Sequence, residues 1–154
     1  MTKVVLSVHV LAAIVFIGPL AVATSVFPPS VRRAAAGHGS WATAQLLHKV
    51  TRGYAVASLV VPAFGMATAG RMNVITDPWL IASIALVVVA AAVLVLVILP
   101  QQGRLLRTAA GAGERAAQAG PTGRRLVVAV GVFNLIWAVV TVLMIVRPGS
   151  TTGA

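Results

Sequence analysis

The fold is decided by residues 79–99, WLIASIALVVVAAAVLVLVIL, which contain no charged side chain. About 20 consecutive apolar residues are enough for a helix to cross the hydrocarbon core of a bilayer. Three further apolar runs, about 4–27, 53–70 and 126–146, have comparable length. The sequence therefore predicts an all-α polytopic membrane protein, with one membrane domain over residues 1–154 and four transmembrane helices in an antiparallel bundle.

The overall composition excludes an ordinary soluble domain. Of the 154 residues, 59% are hydrophobic and only 9% are charged, whereas soluble domains carry about 25% charged residues. The chain has no cysteine, which excludes disulfides, thiolate metal sites and cysteine nucleophiles.

Prolines and polar residues predict where the spans end. The first span is expected to stop at Pro28–Pro29 and the third at Pro100, because proline cannot continue a regular helix. Ser40 is a predicted N-cap for a helix that leads into the second span, which Pro62 interrupts. Residues 28–52 and 100–125 are predicted to be basic loops, and residues 148–154 a disordered tail.

The distribution of basic residues predicts the orientation. The two long loops carry nine basic residues, whereas the other side of the predicted bundle carries Lys3, Arg71 and Arg147. The positive-inside rule places both loops in the cytoplasm and both termini outside. A competing interpretation is a secretory signal cleaved after Ala21-Val22-Ala23, which would reverse this charge pattern.

The basic loops predict contact with anionic lipid headgroups, which attract each nearby Lys or Arg by about 1 kcal/mol. Attraction to lipid headgroups is sufficient to explain the basic residues of these loops, and no nucleic-acid partner is expected. The residues concerned are Arg32, Arg33, Lys49, Arg52, Arg104, Arg107, Arg115, Arg124 and Arg125.

The two acidic residues, Asp77 and Glu114, both fall in predicted loops. Proton-coupled transporters commonly use a carboxylate within the membrane, and paired-carboxylate hydrolases and oxygen-ligand cages for Mg²⁺ or Ca²⁺ need several. These classes are therefore disfavoured.

His9 is the candidate for cofactor binding, because a polar side chain within a span is costly and often functional. The predicted topology places Met66 and Met144 in the same outer layer, with Met72 just beyond it. One imidazole with thioethers could ligate Cu(I) or a haem iron. The structural alternative is that His9 bonds water or a neighbouring helix and that the methionines fill gaps.

Small and weakly polar residues at helical spacing predict helix-packing surfaces. Gly131, Asn134, Ala138 and Thr141 form one such surface, the fourth-helix seam. Gly65 and Ala69 form another in the second span. These surfaces could join helices within the chain, or join the protein to a second copy or to a larger membrane complex.

The segment LSVHVLAAIVFIG, residues 6–18, resembles the first helix of small four-helix bacterial integral membrane proteins. They include the HemJ-type protoporphyrinogen oxidases, the CopD-type copper-resistance proteins and a related family of unknown function. The family of unknown function fits this sequence best, at Val61-Pro62-Ala63 through Gly70 and at Trp79-Leu80. The resemblance implies a bacterial inner-membrane protein with haem binding at His9. The lysine that follows the third-span Trp in the HemJ type has no counterpart between Trp79 and Ser83.

These observations favour a non-enzymatic accessory or scaffold protein that packs through its small-residue surfaces. The alternative from a different class is a membrane redox protein that binds haem or copper through His9.

Overall fold

A computed structural model describes residues 2–112 and 120–149 of the chain, and these residues form helices and short connections without a strand. The α-helices are α1 (Thr2–Ala12), α2 (Gly18–Ala35), α3 (Trp41–Ala57), α4 (Val60–Met72), α5 (Pro78–Ala92), α6 (Leu99–Ala112) and α7 (Gly120–Val146). Two π-helical segments, Ala13–Ile17 and Val93–Ile98, join α1 to α2 and α5 to α6.

These elements form four helical runs long and apolar enough to cross a membrane: Lys3–Ala35, Trp41–Met72, Pro78–Thr108 and Gly123–Val146. They confirm the predicted all-helical fold with four helices of spanning length. Since each residue adds about 1.5 Å, the first three runs are far longer than a hydrocarbon core of about 30 Å requires. Much of the two predicted basic loops is consequently helical.

The expected helix ends at Pro28–Pro29 and at Pro100 are wrong. Both Pro28 and Pro29 lie inside α2, which continues to Ala35, and Pro100 lies inside α6. A proline removes one backbone hydrogen bond but keeps a helical φ, and packing can offset that loss. Phe27 and Pro28 are both buried, and Phe27 belongs to the main apolar core.

Both π-helical segments end two residues before a proline. Ile17 is followed by Gly18-Pro19, and Ile98 by Leu99-Pro100. A π-helical turn widens the helix locally, and such adjustments accommodate a proline within a membrane-spanning helix. This explains how two of the long runs pass through a proline.

The second run has the predicted start and the predicted interruption. The Ser40 hydroxyl accepts a hydrogen bond from the Ala42 N–H at 3.1 Å, which caps α3. The break between α3 and α4 falls at Ser58–Leu59, one turn before Pro62. Pro62 cannot donate to the Ser58 carbonyl, which instead accepts from the Val61 N–H at 2.9 Å.

Helix packing separates the molecule into two ends. At the basic end, formed by residues 28–52, 100–112 and 120–125, α2 packs against α3, and α3 against α6. At the other end, here named the cavity end, α1 packs against α4, and α5 packs against α7. The main core includes Leu20, Phe27, Ile98, Leu126 and Phe133. Between the α1–α4 pair and the α5–α7 pair the helices leave a cavity.

Candidate functional site

The cavity has a volume of about 590 Å³ and an almost wholly apolar wall. It brings together the three residues that the sequence singled out for cofactor binding, together with Met72. The residues relevant to its chemistry are His9, Met66, Met72, Trp79, Trp137, Met144 and Arg147. Whether they bind a ligand stays a prediction.

His9 is the distinctive polar group of this wall. It is buried, and its Nδ1 lies 3.0 Å from the carbonyl oxygen of Val61. A carbonyl oxygen can only accept, so Nδ1 carries a proton and donates it. In the neutral imidazole the Nε2 atom then holds the free lone pair. Metal-binding histidines commonly use a backbone carbonyl in this way to fix the tautomer and the ring orientation.

Gly65 makes room for this ring on the surface of α4. A Cβ atom at position 65 would lie 3.0 Å from His9 Cε1 and 3.4 Å from Nδ1. The predicted packing surface of Gly65 and Ala69 therefore includes the place where α4 contacts His9 of α1. Ala69 is buried in a small cluster with Val74, Trp79 and Leu80.

Trp79 and Arg147 form a polar rim on the cavity. The Trp79 Nε1–H donates to Asp77 Oδ2 at 3.0 Å, and the Arg147 guanidinium carbon lies 5.6 Å from the centre of the indole. Arg147 Nε also donates to the Met144 carbonyl at 3.2 Å. The indole is thus held between a carboxylate and a cation. Sequence reasoning missed this role, although the short spacing from Asp77 to Trp79 was visible.

The fourth-helix seam faces several environments. Asn134 Nδ2 donates to the Ser25 hydroxyl at 3.0 Å, which links α7 to α2. Ala138 and Thr141 line the cavity. Gly131 is exposed, and nothing lies within 4 Å of a Cβ built on it. Trp137 Nε1 is buried and finds no acceptor among the described residues, so it does not bond Asn134.

The basic residues of the two predicted loops lie at the other end of the molecule. Of the nine basic residues in the two predicted loops, the structure describes eight, and all eight are exposed, as contact with headgroups or solvent requires: Arg32, Arg33, Lys49, Arg52, Arg104, Arg107, Arg124 and Arg125. Arg115 and residues 150–154 of the predicted tail lie outside the described residues. His48 also belongs to this end, where its Nδ1 lies 2.9 Å from Gln102 Oε1.

Within residues 2–112 and 120–149, no three His, Cys, Asp or Glu side chains are grouped to hold a metal ion. A metal at the cavity would therefore depend on His9 with softer partners such as the methionine thioethers.

The chain thus has four long helical runs and one buried histidine that lines an apolar cavity. No protein-family model, curated protein or solved structure matches this chain. The functional assignment therefore depends on the geometry of this site.

Proposed function

We propose that this protein is a multi-pass membrane protein that would hold haem in the cavity, with His9 as the residue that binds the iron. The observation that carries the proposal is the hydrogen bond from His9 Nδ1 to the Val61 carbonyl. Because Nδ1 is engaged in this bond, Nε2 is the ring nitrogen left to bind the iron, and His9 lines an apolar cavity of about 590 Å³.

The residues fit the chemistry of haem in three respects. The apolar wall suits the macrocycle, His9 suits the iron, and Arg147 at the rim suits a propionate carboxylate. Met66 and Met144 provide thioethers on the same wall. Bound haem would supply one-electron chemistry. Copper(I) would use the same histidine and thioethers, but a bare ion does not need a cavity of this size.

In this proposal the four runs form an antiparallel bundle in a bacterial inner membrane, with both termini outside. Two contacts support the antiparallel arrangement, because Trp79 at the start of the third run meets Arg147 just after the fourth, and His9 near the start of the first meets Val61 in the latter half of the second. The cavity then lies toward the outer face and the basic end toward the cytoplasm.

The test is an absorption spectrum with haem and copper quantification of protein purified from cells supplied with haem precursors. We expect a Soret band, near-stoichiometric haem and no stoichiometric copper. His9→Gly should lose the band and regain it on addition of imidazole, which replaces the missing ring. His48→Ala is the matched control, because it removes a histidine at the basic end and should keep the haem.

Haem occupancy that is equal with and without His9 would overturn the proposal. So would near-stoichiometric copper without a Soret band, which would assign the site to the metal ion alone.

The second candidate is a packing role, as a scaffold or accessory subunit of a homo-oligomer or a larger membrane complex. It is favoured by the open surface at Gly131, where a partner helix could approach closely. Gly131→Leu should disrupt the association, as measured by light scattering in mild detergent. Gly53→Leu is the matched control, because Gly53 is also exposed with nothing within 4 Å. An unchanged mass in Gly131→Leu would refute the packing role.

A further inference from the structure

A second depression lies between the third and fourth helical runs at the basic end, and it is independent of the His9 cavity. It has a volume of about 830 Å³, and we name it the 3–4 groove. Its wall includes Val97 and Gln101 of the third run and Arg124, Arg125, Val128 and Val132 of the fourth.

The groove changes from polar to apolar along its length, and it does so on both walls in the same direction. On the third run Gln101 marks the polar end, and Val97 lies one turn nearer the middle of that run. On the fourth run the pair Arg124–Arg125 marks the polar end, and Val128 and Val132 follow at one-turn intervals. From Arg125 to Val132 the helix rises about 10 Å. The groove therefore matches an amphiphile that has its charged end at the arginines and a chain along the valines.

The polar end is chemically complementary to an anionic headgroup. Arg124 and Arg125 are exposed, and their guanidinium groups suit a phosphodiester. Gln101 Oε1 is buried and has no hydrogen-bond partner among the described residues. A headgroup hydroxyl would provide a donor there, which a choline headgroup lacks.

We infer that the 3–4 groove binds one anionic glycerophospholipid, with its phosphate at Arg124 and Arg125 and an acyl chain against Val97, Val128 and Val132. This goes beyond general attraction of the basic loops to a charged membrane surface, because one groove and two arginines distinguish the bound lipid from the surrounding ones.

The test is native mass spectrometry of the full chain in detergent, titrated with phosphatidylglycerol and, in parallel, with phosphatidylcholine. We expect one phosphatidylglycerol to bind in preference to phosphatidylcholine. The double variant Arg124→Gln/Arg125→Gln should weaken this binding by about 30-fold, given the usual contribution of a basic residue near an anionic membrane surface. Arg32→Gln/Arg33→Gln is the matched control, because it removes the same charge from an exposed pair on α2 that lies outside the groove. Since these two arginines contribute only general attraction to anionic headgroups, their loss should weaken the binding of this one lipid much less.

Two further measurements address the groove itself. Val97→Phe, which fills its apolar part, should also weaken phosphatidylglycerol binding, while an unchanged thermal midpoint shows that the variant is folded. Glycerophosphate, which has the headgroup charge and no acyl chain, should compete poorly. Equal losses in the two arginine pairs, equal binding of both lipids, or full competition by glycerophosphate would each overturn the inference.

Discussion

At the scale of single residues, the site depends on the contact of His9 in α1 with Val61 and Gly65 in α4. His9 could be singled out because a histidine within an apolar run needs a partner. Its partner is a backbone carbonyl, that of Val61, and a carbonyl has no signature in the sequence. Gly65 was visible as a small residue, but its role beneath the imidazole follows only from the way α1 packs on α4.

Gly65→Ala tests this contact. The added Cβ would lie 3.0 Å from His9 Cε1, so either the ring or α4 must shift, and overpacking of this kind costs about 1–3 kcal/mol. We expect a lower thermal midpoint in detergent and a weaker Soret band. Gly70→Ala is the control on the same helix, since its Cβ would meet only Ile75 Cδ1 at 3.9 Å. Equal stability of the two variants would show that the His9 ring is not confined by Gly65.

At the scale of helices, the hydrophobic runs predicted the number and type of spanning elements. The expectation that a proline ends a helix gave two wrong helix ends, at Pro28–Pro29 and at Pro100. This expectation assumes that a helix cannot recover from a lost backbone bond. Here Pro19 and Pro100 follow π-helical turns, and Pro28 and Pro29 lie within α2. Pro62 is different, because a break in the helix precedes it. The local sequence does not distinguish these cases, because the outcome depends on what packs around each proline.

Pro62→Ala should straighten the second run, because it restores the hydrogen bond to the Ser58 carbonyl. The chain has no cysteine, so spin labels can be placed at Leu46→Cys and Ala67→Cys, both exposed in α3 and α4. In a straight helix these backbone positions are about 31 Å apart. We expect double electron–electron resonance to measure a shorter distance between the two labels in the chain with Pro62 and a longer distance in the Pro62→Ala variant.

Pro28→Ala in the same labelled chain is the control for this experiment. It restores a backbone donor in α2, outside the second run, and should leave the distance between the labels unchanged. A distance that Pro62→Ala also leaves unchanged would show that the proline does not cause the interruption.

At the scale of the whole molecule, hydropathy predicted four spans and charge predicted their orientation, but neither predicted the cavity. The cavity lies where the α1–α4 pair and the α5–α7 pair remain apart, although Ala69 of α4 packs with Trp79 and Leu80 of α5 in the cavity wall. That gap depends on the directions of four helices at once. The same separation gives the molecule two unlike ends, one with His9 and an apolar cavity and one with the exposed arginines.

The orientation of these ends can be measured with the cysteine-free chain. His38→Cys lies in the α2–α3 connection at the basic end, and Thr76→Cys lies in the α4–α5 connection at the cavity end; both positions are exposed. Because nine of the twelve basic residues lie in the predicted cytoplasmic segments, the positive-inside rule predicts that a membrane-impermeant maleimide labels Thr76→Cys in intact cells. His38→Cys should be labelled only after the cells are opened. The reverse pattern would place the His9 cavity toward the cytoplasm, so that a haem bound there would exchange electrons with cytoplasmic rather than external partners.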